Sequence, residues 1–357
     1  MKVLLIAKLA NHTIKENVLI PILASGVVEQ VFVLRDIPGE NFDSRIHYVS
    51  CGAVGQIRHL KKVAKGVLLC NKHKIDAIVG VLNTPHGYIG RMVGWLTGIP
   101  FVYMTIAGHR EFWLDGKHIE QFRLKLFKNS SAITVTGLQT MDYLLKKGYN
   151  RKKIFVLPNL PNSYFNTICI DDNKPRKYDI VSFSRIDANK NLILLVKAIS
   201  ALKKKGITPK VVVAGDGGQF ENIVKATQEY QVNDCFEFFG YISNINDKIA
   251  IYSNSKIFIS CSKGEGFPVS LLEAMGCGCV PVVSNVGDIA DVIKQGYNGY
   301  IYNDTDDETE MAVFLLELLN NPNKMTRLSS SALDIKQQIS VENNGKIWKE
   351  ILLSTLK

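Results

Sequence analysis

No run of about 18 apolar residues occurs in the 357-residue chain, so no segment is long and apolar enough for a membrane-spanning helix. The opening Met1-Lys2-Val3-Leu4-Leu5-Ile6-Ala7 is too short for the apolar stretch of a secretion signal and lacks a cleavage site. It reads as a first β-strand. Paired cysteines are also missing. The seven cysteines (51, 70, 169, 235, 261, 277 and 279) are odd in number and lie mostly in apolar runs, which fits reduced, buried thiols in a cytoplasm. Cys277-Gly278-Cys279 has no second pair to complete a zinc site, and no histidines share metal-ligand spacing, so no metal is expected. Repeats at solenoid period, low-complexity tracts and nucleic-acid-binding modules are absent too, and the aromatics form no stacking platform. Nucleic acid is therefore not an expected partner.

Acidic side chains are scarce in one half only. Residues 1–170 hold 22 Lys and Arg against 10 Asp and Glu, a balance of +12, whereas residues 171–357 hold 21 against 23, a balance of −2. The net charge of +10 thus comes entirely from the first half, which favours an anionic partner there. With 46% hydrophobic and 21% charged residues the composition is that of a globular protein, and the length exceeds what one core ordinarily serves.

Strand-like apolar runs alternate with helix-length segments throughout, the pattern of parallel sheets covered by helices. The first series is Val3–Ala7, Val31–Leu34, Ala77–Val81, Phe101–Ile106, Ile133–Val135 and Ile154–Leu157. A helix between the second and third has Ile57, Leu60, Val63, Ala64, Val67 and Leu68 on one face and Arg58, Lys61, Lys62 and Lys65 on the other. The polar stretch 171–177 reads as a linker. A second series follows: Ile180–Ser182, Lys210–Ala214, Phe236–Phe239, Ile257–Ser260 and Val280–Val283, with helices starting near Asn191, Gln219, Pro268 and Asp288. The expected fold is α/β, with two Rossmann-like doubly wound domains facing a cleft. The expected domains are residues 1–170 and residues 178–338. In residues 339–357, Ile347, Trp348, Ile351, Leu352 and Leu356 recur at helical spacing and read as a packing helix.

Three segments carry chemistry. Residues 260–276 leave a strand, cross a loop with Gly264 and Gly266, and enter a helix with Pro268 in its first turn. The N–H groups of Val269, Ser270 and Leu271 would then meet an anion at the positive helix end, an arrangement suited to a diphosphate. Glu265 and Glu273 bracket that position; taken singly, each also fits a helix cap or a solvated helical residue. Next, Arg185 and Lys190 in Ser184–Asn191 follow a strand and would neutralise a diphosphate leaving group, although two cations five apart are also common on plain surface. Finally, Gly215-Asp216-Gly217-Gly218 ends a strand but completes no G-x-G-x-x-G, and a tight turn accounts for it.

In order and spacing, Ser184-Arg185…Lys190-Asn191, Gly215-Asp216-Gly217, Phe238-Phe239-Gly240-Tyr241, Glu265-Gly266-Phe267-Pro268…Glu273-Ala274-Met275-Gly276 and Pro281-Val282-Val283…Gly299-Tyr300 resemble the donor domain of family-4 retaining glycosyltransferases of the GT-B fold, whose E-x7-E motif the two glutamates match. The resemblance covers about residues 178–305. It implies that residues 1–170 bind the acceptor, that residues 178–338 bind the nucleotide sugar, and that the C-terminal helix in residues 339–357 packs back toward the first domain. It also implies that Arg185 and Lys190 bind the diphosphate, Glu265 the sugar and Glu273 the ribose. It assigns the phosphates to backbone from Gly266 and Phe267 through Pro268, Val269 and Ser270 to Leu271, adds Gly215 to the donor side, and gives the base to Tyr241 and Ile242. No metal or other cofactor is implied, and Asp304-Thr305-Asp306 reads as solvated loop. The first domain departs from the family: Ala7-Lys8-Leu9-Ala10-Asn11-His12 has no Gly-Gly turn, and the family's histidine is matched by either His109 or His86.

The implied activity is transfer of a sugar from a UDP- or GDP-linked donor to a hydroxyl of a glycan or lipid-linked acceptor, with retention, as in bacterial surface polysaccharide or lipid-linked glycan synthesis. A nucleotide-sugar epimerase or hydrolase on the same fold and a non-catalytic nucleotide-sugar-binding protein are the alternatives. The basic segments Arg58–Lys65, Arg123–Lys128, Lys146–Lys147 and Arg151–Lys153 have two readings: a solvated face, or a peripheral site on an anionic membrane at the cytoplasmic side.

Overall fold

A computed structural model describes the chain except residues 53–56, 114–115, 169–174 and 357. Most of the expected linker, residues 171–174, and Cys169 therefore lie outside the described residues. The chain divides into two compact units, Met1–Leu160 with Ile339–Lys357, and Pro161–Gln338. The first unit's main segment thus ends at Leu160 rather than at residue 170.

In the first unit, β1 (Lys2–Ile6), β2 (Gln30–Arg35), β3 (Ile46–Ser50), β4 (Ala77–Val81), β5 (Phe101–Met104), β6 (Ala132–Val135) and β7 (Ile154–Val156) form one parallel sheet in the order β3-β2-β1-β4-β5-β6-β7. Alternate residues of β1 serve opposite layers. Val3 and Leu5 join the core that holds Ile22, Leu23, Trp348 and Ile351. Leu4 and Ile6 join the core that holds Leu69, Val93, Leu124 and Phe127. Helices Ile20–Ala24 and Val341–Ser354 therefore cover one face, and Arg58–His73, Tyr88–Thr97 and Lys117–Lys128 the other.

The second unit repeats the plan with β8 (Tyr178–Phe183), β9 (Val211–Ala214), β10 (Phe236–Gly240), β11 (Ser255–Ser260), β12 (Val280–Ser284) and β13 (Tyr300–Tyr302), ordered β10-β9-β8-β11-β12-β13. Each sheet reverses its direction of growth once, between β1 and β4 and between β8 and β11. A doubly wound sheet binds its ligands outside the carboxyl ends of the strands at such a reversal. Two Rossmann-like sheets are present, as the alternation of runs predicts. β3 and β13 were not anticipated: Ile-His-Tyr-Val-Ser is half polar and lies at a sheet edge, and β13 is only three residues long.

One helix face turns inward only in part: Val63 and Val67 pack against the core as expected, but Ile57, Leu60 and Leu68 do not. In Arg58–His73 the buried stripe is Lys62, Gly66, Leu69 and Cys70. Gly66 sits against Val93 so closely that a Cβ there would lie 2.8 Å from a valine methyl, which fixes the face turned to the Tyr88–Thr97 helix. Lys62 is satisfied beneath it by Asp36 at 2.8 Å. Ile57, Leu60 and Leu68 are consequently 62%, 65% and 68% exposed.

Candidate active site

The carboxyl ends of β8 and β11 flank the second sheet's reversal, and hydrogen bonds join the loops that leave them. Lys263 N–H donates to Asn189 O at 2.8 Å, and Asn189 Nδ2 donates to Gly264 O at 2.9 Å. From below, Ser284 Oγ donates to Ser262 O at 2.7 Å, and Asp288 N–H donates to Gly266 O at 2.8 Å. Gly287, at φ +59°, passes directly beneath Glu265 and Gly266, where no side chain fits. The loop is thereby held against the 184–191 segment by groups other than its proposed ligands.

This brings Lys190 and Glu265 together across 75 residues of sequence. Lys190 Nζ is paired with Glu265 Oε1, and Ser262 Oγ donates to the same carboxylate oxygen at 2.8 Å. Both charged side chains are mostly buried, at 15% and 16% exposure. Arg185, by contrast, is 81% exposed and lies 3.3 Å from Asp187. Of the two expected cations, one is built into the site and one reaches into solvent.

Helix Val269–Gly276 begins beside this pair. Pro268 is its cap rather than a first-turn residue, with φ −73° and ψ 119°. Leu271 N–H donates back to Pro268 O at 3.2 Å, which removes it from the expected set of anion donors. Val269 and Ser270 remain at the positions where a helix leaves its N–H groups without an i−4 partner. Glu273 follows one turn later and is buried, 6% exposed. Burial pushes its carboxyl up and the neighbouring Lys248, 3.8 Å away, pulls against that shift.

The glycine turn after β9 supports the same edge. Gly215 and Gly217 have φ +142° and +154°, and a side chain on either would run into the carbonyls of Ser184 or Ile186. Gly215 N–H donates to Gly240 O at 2.7 Å and Ile186 N–H to Asp216 O at 2.9 Å, so three loops share one backbone network. Tyr241 follows Gly240 and is 77% exposed, with Ile242 half-buried beside it. Asp304 Oδ1 accepts the N–H groups of Asp306 and Asp307 at 2.8 and 3.1 Å, and Asp306 pairs with Lys263 at 2.7 Å, so Asp304-Thr305-Asp306 is an acid-capped surface turn.

Lys248 lies on helix Ile245–Ser253, whose short sequence has no clear apolar stripe to mark it. The available signal was Asn244, whose side chain accepts Asn246 N–H at 2.8 Å, with Asp247 in the first turn.

In the first unit, His86 follows β4, which flanks the reversal, and His109 follows β5, one strand further out. His86 is buried, and burial together with the cation of Lys62 pushes it down to about 4, so it is neutral at physiological pH. His109 lies in the loop after β5, where its backbone N–H donates to Thr140 Oγ1 at 3.2 Å. Glu111 shapes that loop: Oε1 accepts the N–H groups of Ile106 and Ala107 at 2.6 and 2.7 Å, and Oε2 accepts from Tyr103 at 2.9 Å. Burial pushes Glu111 up from 4.5 to about 7 against those donors. Because the folded value is raised, Glu111 contributes stability that is complete below pH 4.5 and is lost as pH rises through about 7. Relative to Glu111→Gln, the first unit of the wild type is expected to lose about 2 kcal/mol of stability between pH 5 and pH 8, read from that unit's own denaturant transition. A pH-independent difference between the two proteins would overturn this reading of Glu111.

Residues 170–334 match the family model for glycosyl transferases group 1. The chain is 26% identical over 271 residues to the poly(glycerol-phosphate) alpha-glucosyltransferase of Bacillus subtilis, covering 75% of this chain but only 38% of that protein. It is 26% identical over 288 residues to the Campylobacter jejuni alpha-1,4-N-acetyl-D-galactosaminyltransferase named for a PP-undecaprenol-linked glycan, covering 78% of this chain and 75% of that one. Among solved structures, Anabaena HepE in complex with UDP superposes with a TM-score of 0.79 at 18% identity, over 99% of this chain and 100% of that one. At that identity the superposition establishes the two-domain glycosyltransferase fold and nothing finer.

Proposed function

Taking residues 170–334 as a domain of the group 1 glycosyl transferases, we propose that the chain moves a sugar from a nucleotide diphosphate sugar to a hydroxyl acceptor, with retention of configuration. The observation that carries this reading is the Lys190–Glu265 pair at the sheet reversal, beside the start of helix Val269–Gly276. Cation and positive helix end there match the diphosphate and the charge it develops on leaving, and the carboxylate matches the sugar.

In this mechanism Lys190 exchanges Glu265 for the diphosphate when donor binds, and Arg185 swings in from solvent to the same phosphates. Val269 and Ser270 N–H groups take the phosphate oxygens. Glu265, released from Lys190 but still held by Ser262, accepts from the sugar hydroxyls and orients the anomeric carbon. Glu273 accepts from the ribose, and Tyr241 and Ile242 line the base. His109 faces the acceptor side. As the bond to the diphosphate lengthens, its developing charge meets groups already in position, which is where electrostatic catalysis is largest. Because side chains and a helix end neutralise the diphosphate, the reaction is expected to persist in chelator.

The acceptor we propose is a glycan or a lipid-linked glycan presented at an anionic membrane. The +12 balance of residues 1–170 supports a phosphate-bearing acceptor. The test is nucleotide release over a panel of UDP-, GDP- and ADP-sugars, with and without chelator. Release from one donor without added acceptor, at a slow hydrolytic rate, is the expected result. Thermal stabilisation by a nucleotide sugar with no turnover would leave a binding protein, and neither turnover nor stabilisation would refute the donor site.

A further inference from the structure

Helix Arg58–His73 directs an apolar stripe outward: Ile57, at its cap, Leu60 and Leu68 are 62%, 65% and 68% exposed. Its neighbour Tyr88–Thr97 does the same. Met92, Trp95 and Leu96, spaced three and one apart on a single helix face, are 46%, 74% and 51% exposed. The third helix on this side of the sheet, Lys117–Lys128, adds Ile119 and Phe122 at 41% and 58%. The three helices adjoin. Gly66 meets Val93, Arg91 donates to Leu126 O at 3.4 Å, Arg123 donates to Tyr88 Oη at 3.0 Å, and the Tyr88 and Phe122 rings are 6.0 Å apart. Single exposed apolar residues are ordinary, but aligned stripes on three adjoining helices are not.

The charges around these stripes have one sign. The three helices carry ten Lys and Arg and one acid, Glu120, and that acid is engaged by Lys147 at 2.6 Å. Lys61, Lys72, Lys117, Lys125 and Lys128 are all exposed. A second copy of this chain on the same face would bring like charges together. An apolar surface with an amphipathic tryptophan and a lysine border instead fits the boundary between acyl chains and anionic headgroups.

We infer that the outer face of helices Arg58–His73, Tyr88–Thr97 and Lys117–Lys128 docks on an anionic lipid surface, with Trp95, Leu96 and Phe122 entering the headgroup boundary and the lysines contacting lipid phosphates. The docking surface overlaps the basic segments read in the sequence only in part, sharing Lys61, Lys125 and Lys128. Within Arg123–Lys128, Leu124 and Phe127 are core residues and Arg123 is buried, while Lys62 of Arg58–Lys65 is sealed inside. The inference rests on the proposed function only for its purpose, delivery to a membrane-borne acceptor; lipid binding itself is read without any transfer.

The experiment is flotation of the full chain with vesicles of phosphatidylcholine containing about one third phosphatidylglycerol, and with phosphatidylcholine alone, at about 0.05 M and 0.5 M salt. Binding to the anionic vesicles at low salt, weakened by high salt, is expected. A Trp95→Ser/Leu96→Ser/Phe122→Ser variant is expected to bind at least about tenfold more weakly, and Lys61→Glu/Lys125→Glu likewise. Nucleotide release without vesicles is expected to keep its wild-type rate in both variants, so loss of docking is separable from loss of the donor site. If the apolar variant fails to fold, the charge-reversed pair carries the test. The inference is overturned if the wild type stays with neither vesicle, if both variants float as well as the wild type, or if binding ignores salt and lipid charge. Sedimentation showing a dimer that the same substitutions dissolve would assign the face to a second copy and overturn it equally.

Discussion

Lys190→Ala is expected to lower kcat/KM for nucleotide release by about two to three orders of magnitude, the range for removal of one preorganised group that stabilises developing charge. The substitution acts twice. It removes the cation proposed to meet the diphosphate, and it leaves Glu265, mostly buried, with the Ser262 hydroxyl at 2.8 Å as its remaining side-chain partner among the described residues. A double-mutant cycle separates the two effects. If Lys190 serves only to hold Glu265, then Lys190→Ala costs nothing further in a Glu265→Gln background. If it also meets the diphosphate, most of the loss persists there. Lys190→Arg keeps the charge but replaces a compact ammonium with a broad fork in a site that is 15% exposed, so partial recovery is expected. The contrast with Arg185→Ala is informative, because Arg185 is solvent-borne and pairs only with Asp187 at 3.3 Å among the ion pairs described. Its loss is expected to raise KM more than it lowers kcat. A Lys190→Ala enzyme within about threefold of wild type would remove Lys190 from the chemistry.

The parts of this site that could be read in the sequence are those encoded locally. Asn191, Gln219 and Pro268 stand directly before the helices Leu192–Lys204, Phe220–Glu229 and Val269–Gly276, because breaks and caps mark helix starts within a few residues, whereas Asp288 precedes only the three-residue 3₁₀ turn Ile289–Asp291. The near-continuous apolar runs of β1 and β4 are equally visible, as are the shorter apolar centres Ile180–Val181 of β8 and Ile257–Ile259 of β11, since buried parallel strands are apolar on both faces. What could not be read depends on partners far along the chain. Spacing shows that Ile57, Leu60 and Leu68 share a face, but not that the face turns outward. Gly66 against Val93, and Lys62 on Asp36, decide that. The Lys190–Glu265 pair is likewise a product of topology, since β8 and β11 become neighbours only where the sheet reverses. Lys248 reaches Glu273 from a helix whose polar surface gave no strong period.

Trp348→Ala is expected to destabilise the first unit by about 3–5 kcal/mol, the usual cost of deleting a large buried aromatic. Trp348 has no exposed surface and shares a core with Ile22, Leu23, Ile351 and Leu352, on the sheet face that the helical run from Asn11 to Ala24 also covers. Its helix is held closely there. A Cβ on Gly345 would lie 3.0 Å from the Ala24 carbonyl carbon, and Asn344 Nδ2 donates to Pro158 O at 2.8 Å. The last residues of the chain therefore complete a core begun by the first, and the second unit does not contain them. With two units, a single unfolding free energy is not defined, so the measurement is calorimetry with and without the preferred nucleotide sugar. The donor is expected to raise the transition of the second unit, as any ligand of a folded state does. Trp348→Ala is expected to lower the other transition by about 10 °C and leave the donor-sensitive one in place. Trp348→Phe, which retains most of the ring volume, is expected to show a smaller drop. An unchanged melting profile would mean the C-terminal helix contributes no core to the first unit. A drop in the donor-sensitive transition would mean that it stabilises the second unit instead.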